Sequence, residues 1–366
     1  MVDKQPATNT GTTPAAPSHE AGDGIASISF MGLLGTQFLG AFNDNMYRWL
    51  IIWVAQDLVA ANQHDMIRSV GAAALMLPFL LLAAPAGFLA DRFSKRSVMV
   101  GVKFAEMTIM GLGALAIALG NIPFMLVVMV FMGGQSALFG PSKYGSIPEL
   151  VRRDQITRAN GLIGLTTVIA IVGGTVSASF LYEWTQGVGG GSWIAAIALV
   201  GVSLLGLGTS LLIRRVPAAN PKRTMPWNVP RHTFRDLKLL CSSKALVGAI
   251  LGLAFFWGMA ALSQITIDNF GQNALSLTET QTQHKQHIVS LLLASMAAGV
   301  GVGSLLAGLF SGKRIELGLV PYGAVGMAIC LTLLGVLNLT PWSGALILFG
   351  LGIFAGLFDI PLEAYL

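Results

Sequence analysis

Gly87-Phe88-Leu89-Ala90-Asp91-Arg92-Phe93-Ser94-Lys95-Arg96 closes one apolar run of the chain and opens the next. One acid and three bases share a short turn between two stretches that are each long enough to cross a bilayer. Gly87 leaves room for a neighbouring helix to approach closely, and Asp91 with the cations that follow can form a charge latch. The stretch has an echo: Ala307-Gly308-Leu309-Phe310-Ser311-Gly312-Lys313-Arg314, with Gly308 lying 308 − 87 = 221 positions after Gly87. A second echo links Pro141-Ser142-Lys143-Tyr144 to Pro361-Leu362-Glu363-Ala364-Tyr365, at 361 − 141 = 220. A near-constant offset between charged or proline-marked helix ends indicates two related halves.

Composition sets the medium. Apolar residues make up 54% of the 366 and charged residues only 11%, against about 25% charged in a soluble domain. Such a chain cannot cover a water-facing surface, and in lipid the backbone must satisfy its own hydrogen bonds, which leads to helices. Spanning segments are expected at about 28–54, 70–90, 97–119, 122–143, 158–181, 193–213, 245–268, 288–310, 317–338 and 343–365. Residues 1–27, rich in Ala, Thr, Pro, Ser and Gly, are expected to form a disordered tail. They are not a secretory signal, because the apolar run that follows is too long and holds Asp44 and Arg48.

Basic residues fall in alternate loops. Arg92, Lys95 and Arg96 follow the second span, and Arg152, Arg153 and Arg158 follow the fourth. The stretch 214–244 carries Arg214, Arg215, Lys222, Arg223, Arg231, Arg235, Lys238 and Lys244, while Lys313 and Arg314 follow the eighth span. The other loops hold only Arg68 and Lys285. This bias puts the basic loops and the N-terminus in the cytoplasm, and it accounts for the positive charge without nucleic acid. The expected domains are an N-terminal six-helix bundle (28–213), a basic linker (214–244) and a C-terminal bundle (245–366). Cys241 and Cys330 suggest neither a disulfide nor a metal site, the histidines are scattered among loops, and no cofactor is expected.

The Gly87–Arg96 stretch resembles the loop 2–3 motif of the major facilitator superfamily. The resemblance implies an all-α membrane fold of two pseudo-repeated six-helix bundles, related by an axis along the membrane normal. On that template about ten of twelve spans are present, and the run ends at Leu366 within the tenth, so a truncated product is expected. The resemblance also implies that Gly87, Asp91, Arg92 and Arg96, with Lys313 and Arg314 in the echo, form a gate that holds one half against the other.

Further stretches resemble the lysophospholipid transporter family: Gln37-Phe38-Leu39-Gly40-Ala41-Phe42-Asn43-Asp44-Asn45, Gly140-Pro141-Ser142-Lys143-Tyr144-Gly145-Ser146-Ile147-Pro148-Glu149-Leu150, Arg158-Ala159-Asn160-Gly161-Leu162-Ile163 and Lys313-Arg314-Ile315-Glu316-Leu317. Asp44-Asn45-Met46-Tyr47-Arg48 looks more like the branch fused to phospholipid acyltransferase and acyl-carrier-protein ligase domains. The family tends to carry an arginine after a Phe-Trp-Gly in helix 7, whereas Phe256-Trp257-Gly258 is followed here by Gln264 at the matching place. The resemblance implies transport of lysophospholipids between the leaflets of the bacterial inner membrane by alternating access. Its partners are then membrane lipids and an acyltransferase or acyl-carrier-protein ligase acting on the product. Another small solute remains an alternative cargo, with or without proton coupling. Acyl-transfer chemistry needs His-x-x-x-x-Asp, but His232 has its aspartate, Asp236, four positions on. The chain is therefore read as a transporter and not an enzyme, the alternative being the membrane module of a bifunctional acyltransferase.

A carboxylate in hydrocarbon costs roughly 2.5–3.5 kcal/mol on insertion scales, so Asp44 is the leading candidate for a headgroup site. Asn43 and Asn45 flank it, and Arg48 lies one turn on, where it either pairs with Asp44 or faces the same path. Three consecutive polar residues cannot all face one helix. Lys143 and Tyr144 at the end of the fourth span suit a phosphate or a gate, and a lysine there can also snorkel. Glu363 is the echo of that position. Asp359 lies one turn before it, and adjacent carboxylates repel, which permits proton coupling. Gln264 completes the candidate substrate site. Lys103 and Glu106, at i and i+3, are expected to form an internal ion pair. Gly133-Gly134, Gly173-Gly174 and Gly299/Gly303 are expected to bring helices together closely.

Overall fold

The computed structural model describes residues 24–187, 192–224, 243–269, 285–311 and 316–365. Ten long helices occur among them: α1 (Ile28–Asp57), α2 (His64–Arg92), α3 (Lys95–Ala118), α4 (Ile122–Leu150), α5 (Ile156–Gly187), α6 (Ser192–Leu211), α7 (Lys244–Asn269), α8 (Lys285–Phe310), α9 (Leu319–Val336) and α10 (Pro341–Tyr365). Eight of these contain stretches long and apolar enough to cross a membrane. The exceptions are α1, interrupted by its polar residues, and α7, whose described apolar part is the shorter Lys244–Ala260. Most of the expected tail lies outside the described residues, but its last part is held in place. The Ile25 amide donates to Gln155 Oε1 at 3.0 Å, and the Ser27 hydroxyl caps α1 through the Phe30 amide at 3.2 Å.

Local chemistry sets the helix ends. Gly120 takes φ +59 between α3 and α4, a left-handed conformation that an L side chain rarely adopts. Asn121 then caps α4, accepting from the Phe124 amide at 2.9 Å. In the N-terminal half α1 packs on α5 and α6, α2 on α4, and α3 on α4 and α6. In the C-terminal half α8 and α9 pack on α10. Met46, Tyr47, Leu50, Met110, Met125 and Met129 are central to one buried core, away from the basic loops, and Phe30, Leu33, Met99 and Ile147 form a second one nearer to them.

The repeat read from the sequence recurs in the packing. A Cβ at Gly133 would strike the Leu75 carbonyl, where α4 crosses α2. A Cβ at Gly352 would strike the Met296 carbonyl, where α10 crosses α8. These two crossings are related by the repeat offset to within two residues. Gly174 meets the Phe42 carbonyl in the same way, and Gly299 and Gly303 meet those of Phe349 and Ile353. Backbones in contact at glycine gain dispersion energy that side chains would block, the main association force between helices in lipid.

Gly87 behaves otherwise. A Cβ there meets nothing within 4 Å among the described residues. Among the described residues no helix makes the close approach expected at this glycine, and α2 turns this side away from them.

The halves join where the basic loops lie, hereafter the basic end. Here α5 packs against both α8 and α10. A Cβ at Gly161 would come within 2.7 Å of the Ser304 carbonyl oxygen, and one at Gly308 within 3.3 Å of Arg158 Cα. Tyr144 Oη donates to Glu363 Oε1 across the same seam, from α4 to α10, at 3.5 Å.

Candidate functional site

Three polar residues mark one stripe of α1. Gln37, Asp44 and Arg48 are separated by seven and four positions, which at 3.6 residues per turn keeps them on one side of the helix. Asp44 is half-buried. Its Oδ1 accepts from Gln135 Nε2 at 3.2 Å and its Oδ2 from the Ser136 hydroxyl at 2.5 Å, both on α4. Gln135 Nε2 also reaches Ser136 Oγ at 2.8 Å, closing a small network around the carboxylate. These donors are neutral, so they orient the anion without cancelling its charge.

Arg48 does not pair with Asp44. Its guanidinium lies 5.4 Å from the centre of the Trp49 ring, and its buried Nε has no hydrogen-bond partner. The self-neutralising pair that the i, i+4 spacing allowed is therefore not formed, because Asp44 turns to α4.

The two asparagines belong elsewhere. Asn43 is fully buried and faces α3 and α6, donating to Glu106 Oε1 at 3.3 Å and to the Leu199 carbonyl at 3.2 Å. Glu106 in turn holds the Lys103 ammonium at 2.5 Å, the two side chains being 0% and 2% exposed. This is the expected internal ion pair. It is seated beside Phe139, whose ring centre is 5.4 Å from the ammonium. Gly40 makes room for it, since a Cβ there would collide with Lys103 Nζ. Asn45 turns back on its own helix, its amide donating to the Ala41 carbonyl at 2.8 Å. Of three consecutive polar residues, then, one meets α4, one meets α3 and α6, and one meets its own backbone.

A second polar group lies two turns, about 10 Å, closer to the basic end. Lys143 Nζ donates to Gln37 Oε1 at 3.4 Å and sits 4.3 Å from the centre of the Tyr144 ring. Gln37 Nε2 donates to Thr167 Oγ1 at 2.5 Å and to the Ile163 carbonyl at 3.3 Å, which ties α1, α4 and α5 together. Tyr144 carries the cluster on to Glu363 of α10. Asp359, one turn before Glu363, is 8% exposed, and its Oδ1 has no hydrogen-bond partner. The structure thus assembles Lys143, Tyr144 and Glu363 on the seam between the halves, and keeps Asp44 and Arg48 apart from them. The side chain of Gln264, on α7, lies outside the described residues, as do those of Lys313 and Arg314.

Four partners were not singled out from the sequence: Gln37, Gln135, Ser136 and Thr167. The seven-residue spacing from Gln37 to Asp44 was a usable signal. The others needed the packing of α4 and α5 on α1.

The residues expected to latch the halves meet these partners among the described residues. Asp91 forms an ion pair with Arg223 of the linker, and the Asn220 amide donates to the Asp91 carbonyl at 2.8 Å. Arg92 Nη1 donates to the Arg223 carbonyl at 2.8 Å, and Arg96 Nη2 to the Leu211 carbonyl at 2.9 Å. Lys95 pairs with Glu149. Among the described residues, Asp91, Arg92 and Arg96 thus bind α2 and α3 to the end of α6 and the segment that follows it. The reason is proximity: the chain leaving α6 runs past the α2–α3 turn. Among the described residues no three His, Cys, Asp or Glu side chains gather as a metal set.

Comparison with known proteins places this geometry in context. Residues 33–366 match the family model of the Major Facilitator Superfamily. The chain is 30% identical over 363 residues to a lysophospholipid transporter of Pectobacterium carotovorum, covering 97% of this chain and 80% of that one. It is 27% identical over 338 residues to a lysophospholipid transporter of Photorhabdus laumondii, covering 91% and 78%. Among solved structures it resembles the superfamily transporter FucP in its outward conformation, with TM-score 0.67 and 13% identity over 92% of this chain and 88% of that one. It also resembles a bacterial homologue of the iron transporter ferroportin in an outward-facing state, with TM-score 0.68 and 14% identity over 91% and 82%.

Proposed function

Because the chain belongs to the Major Facilitator Superfamily and is a membrane transporter of that kind, we propose that its cargo is a lysophospholipid. The polar head passes between the two bundles while the acyl chain stays in an apolar environment. The observation that carries this reading is Asp44, a carboxylate midway along α1 whose hydrogen-bond partners among the described residues are the neutral donors Gln135 and Ser136. A carboxylate at that depth held by neutral donors suits a cationic group that comes and goes, such as an ethanolamine ammonium. The lysophospholipid transporters to which the chain is similar support the choice of cargo.

The reading extends to mechanism. The basic end is assigned to the cytoplasm of a bacterial inner membrane, with the N-terminus on the same side, following the positive-inside bias. The seam at Tyr144, Glu363 and the α5–α8 crossing is then a closed inner gate, and the structure corresponds to a carrier open to the other side. Alternating access requires that seam to part while the opposite end closes. Cargo released at the cytoplasmic face becomes available to an acyltransferase for re-acylation.

The experiment is transfer of lysophosphatidylethanolamine across proteoliposomes of the purified protein, with a sugar as the unrelated solute. Lysolipid transfer above the protein-free rate is expected, and none of the sugar. Losing a charge-assisted contact is worth about 1.5–3 kcal/mol, so Asp44→Asn should slow transfer by about tenfold or more while leaving the yield of folded protein unchanged. Transfer of the sugar without the lysolipid would overturn the reading, and an unaltered rate for Asp44→Asn would remove Asp44 from the path.

A further inference from the structure

Resting on the lysophospholipid reading, a finer assignment comes from how the charges of α1 are, and are not, satisfied. Asp44 and Arg48 lie one helical turn apart on one side of α1, about 6 Å along the axis, yet neither neutralises the other. Asp44 is held by Gln135 and Ser136, which leave its charge intact. Arg48 is half-buried, rests against the Trp49 ring at 5.4 Å and leaves its buried Nε unbonded. A guanidinium seated on an aromatic face keeps its in-plane N–H donors free for a ligand.

Of the other cations nearby, Lys103 is paired with Glu106, and Lys143 is engaged by Gln37 and Tyr144 on the seam. We propose that Asp44 and Arg48 form one dipolar socket, in which Arg48 takes the phosphodiester and Asp44 the ammonium of a single-chain phospholipid. The two-carbon bridge between phosphate and ammonium in an ethanolamine head matches the reach of one helical turn. The chain direction fixes the polarity. Asp44 precedes Arg48 and α1 starts at the basic end, so the head lies with its ammonium leading toward the basic end and its phosphate behind. Lys143 is thereby assigned to the seam and not to the phosphate.

The test measures equilibrium binding of three lipids to the purified full chain: lysophosphatidylethanolamine, with phosphate and ammonium; lysophosphatidylglycerol, with phosphate alone; and monoacylglycerol, with neither. Arg48→Gln should weaken both phosphate lipids alike, by about ten- to a hundredfold, and leave monoacylglycerol unchanged. Arg48→Lys should recover the larger part of that loss, which guards against a folding artefact. Asp44→Asn should weaken lysophosphatidylethanolamine and spare lysophosphatidylglycerol. Unchanged lysophosphatidylglycerol binding by Arg48→Gln overturns the assignment, as does equal weakening of both phosphate lipids by Asp44→Asn. So does a uniform phosphate-lipid loss seen in Lys143→Gln but not in Arg48→Gln. If the wild-type chain binds neither phosphate lipid, the lysophospholipid reading itself falls. If it binds them and only the variants depart from this pattern, that reading stands and the socket alone is refuted.

Discussion

Removing Lys103 while keeping Glu106 should be among the most destabilising single changes in the N-terminal bundle. Glu106 is 0% exposed and Lys103 2% exposed, and they meet at 2.5 Å inside the contact of α1, α3 and α6. Among the described residues, Lys103→Met deletes the one cation bonded to that carboxylate and leaves Asn43 as its donor. Breaking a buried pair from one side costs about 3–5 kcal/mol, because the survivor is a buried uncompensated charge. Removing both members together is often neutral or stabilising when apolar groups of similar volume replace them. The two side chains fill space that Gly40 leaves open, so Lys103→Met with Glu106→Leu should retain the packing. The expected pattern is a loss of about 3–5 kcal/mol for Lys103→Met, a similar loss for Glu106→Leu, and a double variant within about 1 kcal/mol of wild type. Reversible unfolding in mixed detergent micelles, taken round the double-mutant cycle, reads the coupling. Single losses that simply add in the double variant would refute the reasoning, since the pair would then contribute nothing as a pair.

Two further outcomes separate features that look alike in the sequence. Gly352→Leu should prevent α8 and α10 from closing, because even a Cβ there meets backbone of Met296, Val300 and Gly299, whereas Gly87→Ala, facing open space, should gain up to about 1 kcal/mol from helix propensity; the yield of monodisperse protein and its thermal midpoint distinguish them, and equal effects would contradict the packing. Arg223→Ala should change stability by less than about 1 kcal/mol, because its pair with Asp91 is 34% and 42% exposed, and a larger loss in the same unfolding assay would show the linker contact to be structural.

Much of the scaffold was legible before any coordinates. Apolar length located the helices, since lipid leaves the backbone few other options. The paired ends at Gly87 and Gly308, and at Pro141 and Pro361, announced the repeat that reappears in the Gly133–Leu75 and Gly352–Met296 crossings. Lys103 and Glu106 were identifiable as partners because i, i+3 residues on a helix are neighbours whatever surrounds them. The same rule left Asp44 and Arg48 open, since spacing permitted a pair and a second helix claimed the carboxylate. It gave no warning that Gly87 faces open space, or that Asp91 meets Arg223 of the linker.

Sequence by itself determined what each helix presents and at what angular spacing, because the 3.6-residue period is intrinsic to the backbone. Tertiary structure alone decided the direction in which each stripe points. Asn43, Asp44 and Asn45 are adjacent in the chain, yet they meet α3 and α6, α4, and their own helix respectively. The rotation of a helix about its axis is set by the sum of its contacts with every neighbour, such as Phe42 against Gly174 and Gly40 against Lys103, and no single segment carries that sum.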